Sequence, residues 1–200
     1  INIILQGDTM RQNVGRITFP ESDTMKSCWF ANMAGFGFDA MVAEKTNQLK
    51  DKGRNGISLY LQALGSSLWN YQTAKTRIII DGKEINELIF SASIGIGKYN
   101  GGGMMQAPGA IPNNGKFEVT IIRKIGIFGI LRNLAGLYSG EFIKDSRVST
   151  HKASHILISS AHNIAGEADG EILGHNKFEI ELIMMKLEVI YNPEKYLKFG

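Results

Sequence analysis

The sequence predicts a mainly β (α+β) fold: an antiparallel β-sandwich-like domain carrying two early helices and one mid-chain helix. Three observations predict it. Apolar and polar residues alternate with a period of two over long stretches, as in Leu88, Phe90, Ala92, Ile94 and Ile96 or Phe117, Val119 and Ile121. The dipeptides Asp81-Gly82 and Asp169-Gly170 sit where two-residue hairpin turns belong, and Asn114-Gly115 reads as a turn into the next strand. Helical spacing is confined to three places, so strands do not alternate regularly with helices as they do in a wound α/β sheet.

Taken in order, Val14–Phe19 reads as a short strand stopped by Pro20. Ser27–Phe38 reads as a buried strand running into a glycine-rich corner, where Gly35 and Gly37 permit unusual backbone angles or close approach. Asp39 then suits the N-cap of a helix reaching about Leu49, and Lys50–Asn55 breaks it. Ile57, Tyr60, Leu61, Leu64 and Leu68 mark one face of a second helix, ending near Tyr71, where Trp69 and Tyr71 read as core. Thr76–Ile80 and Glu84–Ile89 flank the Asp81-Gly82 hairpin, and a long strand follows whose second face is small: Ser91, Ser93, Gly95, Gly97. Lys98–Gly115 is irregular. Ile127, Ile130, Leu131, Leu134, Leu137 and Tyr138 define the mid-chain helix, read as covering the sheet. Val148–Ser160, Phe178–Met184 and Leu187–Tyr191 complete the strands, and Pro193 ends the pattern.

Composition narrows the function. With 44% hydrophobic and 20% charged residues the chain is globular, and a net charge of +3 without a basic cluster argues against a nucleic-acid partner. Cys28 is the only cysteine, which excludes an intrachain disulfide and a thiolate metal site and predicts a reducing, cytoplasmic setting. No apolar run approaches the roughly 20 residues that cross a bilayer. His151 and His155 lie in a strand pattern with no acidic partner nearby, and His162 and His175 are isolated, so no metal-histidine site is expected. The first residue is Ile1 rather than methionine, and a fragment of a longer protein is expected.

Chemistry concentrates in Ala165–Ile172, which gathers Glu167, Asp169 and Glu171 around two glycines. Locally this is a hairpin turn with surplus charge; beside flexible backbone it also suits a general base or a cation. Three stretches, taken in order, bear on the choice. They are Asn32-Met33-Ala34-Gly35-Phe36-Gly37-Phe38-Asp39-Ala40, then Gly95-Ile96-Gly97-Lys98-Tyr99-Asn100-Gly101-Gly102-Gly103-Met104 with Ala107-Pro108 and Ala110, then Asp169-Gly170-Glu171.

Together these resemble the diacylglycerol kinase-like lipid kinase family, in its second, β-rich domain, related more distantly to sphingosine and NAD kinases. The resemblance spans nearly all of residues 1–200 and implies a two-domain enzyme. Its N-terminal domain, bearing a Gly-Gly-Asp-Gly-Thr motif and most of the ATP site, is absent from this sequence. It implies ATP and Mg²⁺, both held mainly by that domain, and a lipid substrate at a membrane surface, with peripheral association of a cytoplasmic protein. Glu171 is implied as the general base, or the residue orienting the substrate hydroxyl. Asp169 is implied as its support, through a hydrogen bond or magnesium. Asn100, Gly101, Gly102, Gly103 and Pro108 are expected to line the substrate cleft, although a turn or bulge explains the glycines equally well. Glu167 falls outside the motif and is expected to be a solvated neighbour. Two departures stand out: Ile96 where the family often has Asn, and Asn114-Gly115 where it usually has Asp-Gly. A neutral amide donates less charge to a hard cation, so no metal is assigned at Asn114. Two other readings compete: a non-catalytic β-sandwich binding module, and a kinase of the same superfamily with a soluble substrate such as NAD.

Overall fold

The computed structural model describes residues 4–5, 7–50, 57–71, 73–162 and 164–192. Most of the Lys50–Asn55 break and Pro193 lie outside them, as do the side chains of Ile57, Tyr60, Leu61, Trp69, Ile127, Leu131 and Leu134.

The strands are β1 (Thr9–Glu21), β2 (Thr24–Phe30), β3 (Met33–Gly37), β4 (Ala74–Ile80), β5 (Lys83–Gly95), β6 (Phe117–Arg123), β7 (Val148–Ala153), β8 (His155–Ser160), β9 (Ala165–Ala168), β10 (Glu171–His175) and β11 (Lys177–Ile190). Helices α1 (Phe38–Lys50) and α2 (Ile57–Asn70) follow β3, and α3 (Ile127–Ser139) follows β6, so the expected placement of helices among strands holds. Among the described residues all eleven strands join one antiparallel sheet, ordered β10-β9-β3-β5-β4-β8-β11-β1-β2, with β6 and β7 branching from β5. The branch makes the sheet sandwich-like. Lys83–Ile89 pairs with β4, whereas Ser91–Gly95 pairs with both β3 and β6. Leaves that diverge from one strand can close over a common core, and Ile17, Phe36, Ile78, Ile94, Phe117 and Phe178 fill it.

Several boundaries differ from the sequence reading, each for a physical reason. Strand β1 continues through Pro20, because its ladder with β11 ends at Thr18 and the missing proline N–H costs no bond there. Ser27–Phe38 is two strands broken at Ala31-Asn32, and Trp29 is 59% exposed rather than buried. Val148–Ser160 is likewise two strands, bent at Ser154. Residues 177–190 form one strand, whose left-handed Met185 sits where the β1 register shifts. His155 does have an acidic partner: its Nε2 lies 2.8 Å from Glu179 on the neighbouring strand, a long-range pairing invisible in local spacing.

A smaller apolar cluster lies between the helices and the sheet. Phe38, Val42, Ala63 and Phe90 are buried there, with Leu64, Leu68, Ile122 and Ile130 packed around them. Tyr71 meets Phe38 and Phe90 edge-on at 5.4 and 5.2 Å and is core, as expected.

Candidate functional site

The three motif stretches converge. Asp169 and Gly170 form the two-residue turn between β9 and β10 with φ of 47° and 91°, the left-handed pair that an Asp-Gly hairpin supplies. The Asp169 carboxylate accepts backbone N–H groups from Ala31 (2.7 Å), Asn32 (3.2 Å) and Met33 (2.9 Å), capping the bend between β2 and β3. Its own N–H donates to the Met33 carbonyl at 2.9 Å. Asn32 carries the connection onward: its Nδ2 donates to the Tyr99 carbonyl, and its own carbonyl accepts from Ile96 and Gly97. The acidic turn, the Asn32 corner and the loop after β5 are therefore one hydrogen-bonded unit.

A second chain of contacts starts at Asp39. This residue is in the first turn of α1, not its N-cap, and its carboxylate turns toward the sheet. It accepts from Ser93 Oγ at 2.7 Å and from Gln106 Nε2 at 3.4 Å. Sequence reasoning missed this role because both partners lie more than 50 residues along the chain. Gln106 in turn accepts from Asn100 Nδ2 at 3.0 Å, and Asn100 Oδ1 caps Gly101 N–H at 2.8 Å. Gly101–Gly103 is a short 3-10 turn, exposed, with Gly102 and Gly103 at φ of 71° and 86°. The turn reading of the glycines thus holds, and Asn100 connects it to the site. Pro108 stands apart, packed toward Gly140 at the end of α3.

Asp39 also lines an apolar pocket with Phe38, Val42, Phe90, Ile130 and Phe142, enclosing about 640 Å³ of empty space, open solvent included. Among the described residues, Gln106 and Ser91 are the other polar side chains on its wall. Asp39 keeps some solvent contact while protein atoms surround it densely; this burial pushes its carboxyl up to about 6, against the hydrogen bonds from Ser93 and Gln106.

The three acids of the turn separate sharply. Glu167, expected to be solvated, is 3% exposed. It projects from β9 opposite Gly35 of β3, and its Oε2 accepts the Gly170 N–H at 2.8 Å. Burial pushes it up to about 8, with the Asp39 and Asp169 charges adding to the shift. The correction has a visible cause. A Cβ at Gly35 would lie 2.6 Å from Glu167 Oε1 and 2.7 Å from Asp39 Cβ, so the missing side chain makes room for both acids. Glu171, by contrast, begins β10 exposed, and its carboxylate has no protein partner among the described residues.

These residues do not fit a magnesium ion. Both Asp169 oxygens are engaged by three amides. At Asn114, Oδ1 accepts the Lys116 N–H, and the Lys116 ammonium occupies the space beside Asp81 at 3.1 Å.

A family model described as the YegS C-terminal NAD kinase beta sandwich-like domain matches residues 32–191. The chain belongs to this family. A diacylglycerol kinase of Mycobacterium tuberculosis (strain H37Rv) is 25% identical over 190 residues, covering 94% of this chain and 60% of that protein. A diacylglycerol kinase of Staphylococcus carnosus is 24% identical over 196 residues, covering 97% and 60%. The chain thus spans about three fifths of the length of these curated relatives. Among solved structures, a diacylglycerol kinase from Bacillus anthracis has a TM-score of 0.61 at 16% identity, over 96% of this chain and 57% of that one. Yeast NADH kinase complexed with NADH has a TM-score of 0.54 at 10% identity, over 96% and 47%. At these identities the structural likenesses establish the fold, which the YegS family shares with NAD kinases.

Proposed function

We propose that this YegS-family domain is the second domain of an ATP- and Mg²⁺-dependent lipid kinase that phosphorylates a hydroxyl of diacylglycerol or a related lipid at a membrane surface. Its own N-terminal domain supplies ATP and the metal ligands, and the whole protein is cytoplasmic with peripheral membrane association. The observation that carries this reading is the joining of all three motif stretches into one unit beside an apolar pocket. An acyl chain matches such a pocket, and a soluble dinucleotide does not.

Glu171 is the general base, or the group that orients the lipid hydroxyl. The hydroxyl oxygen attacks the γ-phosphorus, its proton passes to the Glu171 carboxylate, and the bond to the departing ADP breaks. Such transfer depends chiefly on positioning and charge neutralisation. Asp169 supports it by fixing the turn, since its oxygens are spent on amides. Asn100 and Gly101–Gly103 border the cleft as backbone that a substrate can approach closely.

Radiolabelled phosphate transfer by the full-length protein tests the reading, with vesicle-borne diacylglycerol and NAD offered in parallel. Labelling of the lipid alone is expected. Labelling of NAD would establish the soluble-substrate alternative, and labelling of neither would favour a binding module. The isolated 200 residues are expected to be inactive, so robust ATP turnover by them would sink the two-domain assignment.

A further inference from the structure

In a two-residue hairpin the N–H groups of both turn residues lie outside the strand ladder and ordinarily face water. Here neither does. The Asp169 N–H is taken by the Met33 carbonyl and the Gly170 N–H by Glu167 Oε2. The Gly170 carbonyl is held as well, by Asn47 Nδ2 of α1 at 3.0 Å. A turn already shaped by its Asp-Gly sequence does not need a buried carboxylic acid two residues upstream. Burying that acid is costly, because the enclosed carboxyl loses its water and also faces Asp39 from α1 and Asp169 from its own turn. Gly35 leaves a side-chain-sized space on β3 in which the acid sits. The hydrogen bond to Gly170 is what the arrangement gains.

We infer that Glu167 is a positioning residue for Glu171: it grips the Gly170 amide from inside the domain and fixes the direction in which the next side chain leaves the turn. This rests on the assignment of Glu171 as the base. A residue acting this way touches neither lipid nor nucleotide. Its loss therefore lowers kcat and leaves the KM for ATP unchanged, because small misplacements of a reacting group cost rate steeply. The neutral acid at pH 7 already offers a carbonyl oxygen to Gly170, so an amide of the same size can replace it.

The test uses the full-length protein with Glu167→Met, Glu167→Gln and Glu171→Gln. The first two match glutamate in size and differ in whether an acceptor remains. Hydrogen exchange at the Gly170 amide and the kinetics of phosphate transfer to vesicle-borne diacylglycerol are both measured. Glu167→Met is expected to speed exchange about tenfold and to lower kcat about tenfold with the KM for ATP unchanged, while Glu167→Gln keeps both near wild type. Wild-type exchange or wild-type kcat in Glu167→Met overturns the inference, as does damage in Glu167→Gln equal to that in Glu167→Met. Wild-type turnover in Glu171→Gln instead overturns the base assignment, and the exchange measurement tells the two failures apart.

Discussion

The domain contains two Asp-Gly hairpins of nearly identical construction, and only one of them stands at the candidate site. Asp81-Gly82 has φ of 44° and 86°, against 47° and 91° at Asp169-Gly170. Each aspartate also caps a bend in a distant segment. Asp81 accepts the amides of Ser154 (3.0 Å) and His155 (2.9 Å), as Asp169 accepts those of residues 31–33. The difference lies in the surroundings. Lys116 sits beside Asp81, which is held down at about 2: burial raises it, and the amides and the ammonium outweigh that effect. The Asp169 turn has two enclosed carboxyls behind it, both pushed up, and in front of it Glu171, which has no partner among the described residues. Where Glu171 follows the second turn, Lys83 follows the first. The turn motif is structural in both places, and its neighbours decide whether it serves chemistry.

The largest expected effect breaks the comparison most directly. Glu171→Gln in the full-length protein lowers phosphate transfer at least about 100-fold, whereas Lys83→Gln after the other turn leaves it unchanged. Next come the capping aspartates. Asp169→Asn and Asp81→Asn each cost about 1.5–3 kcal/mol in denaturant unfolding, the worth of a hydrogen bond to a charged group, but only Asp169→Asn reduces kcat.

Acid and base should also separate the two turns. Glu167 holds its proton up to about 8 when folded, against 4.5 for its ordinary value, so its contribution to stability is complete below 4.5 and is lost as pH rises toward 8. Asp39 behaves alike between 3.8 and about 6. Asp81 runs the other way: its contribution is present above 3.8 and is lost as pH falls toward 2. Melting temperature against pH should therefore fall less steeply between pH 5 and 8 in Glu167→Gln, and less steeply below pH 4 in Asp81→Asn. The smallest effect is that of Asn47→Ala, which removes one bond to the Gly170 carbonyl and costs about 0.5–1.5 kcal/mol.

Much of this architecture was legible in the sequence, because turn chemistry and periodicity are local. The Asp81-Gly82 and Asp169-Gly170 hairpins, the small face of β5 and the three helices follow from neighbouring residues. The engagements of Asp39 and Glu167 do not. Asp39 is a plausible cap by local rules, and only Ser93 and Gln106, brought in by the sheet, turn its carboxylate inward. Glu167 reads as solvent-facing until Gly35 is placed opposite it. One signal was available: Glu167, Asp169 and Glu171 recur every second residue, and on a strand such acids share a face only if no turn intervenes. The turn at Asp169-Gly170 sends them different ways.

The branching of β5 gives the quieter hairpin a consequence of its own. Ser93, which hydrogen-bonds Asp39, lies ten residues after Lys83 on one continuous strand, and Ile94 beside it points into the core. The length of the Asp81-Gly82 loop is therefore the indexing stop for the whole strand. One residue inserted there, if the turn stayed at two residues and the extra residue entered the strand, would carry every later side chain to the opposite face. Ala92 would then stand before the Asp39 carboxyl and Ser93 would enter the core. A hairpin outside the candidate site thus keeps the strand that carries Ser93 in phase.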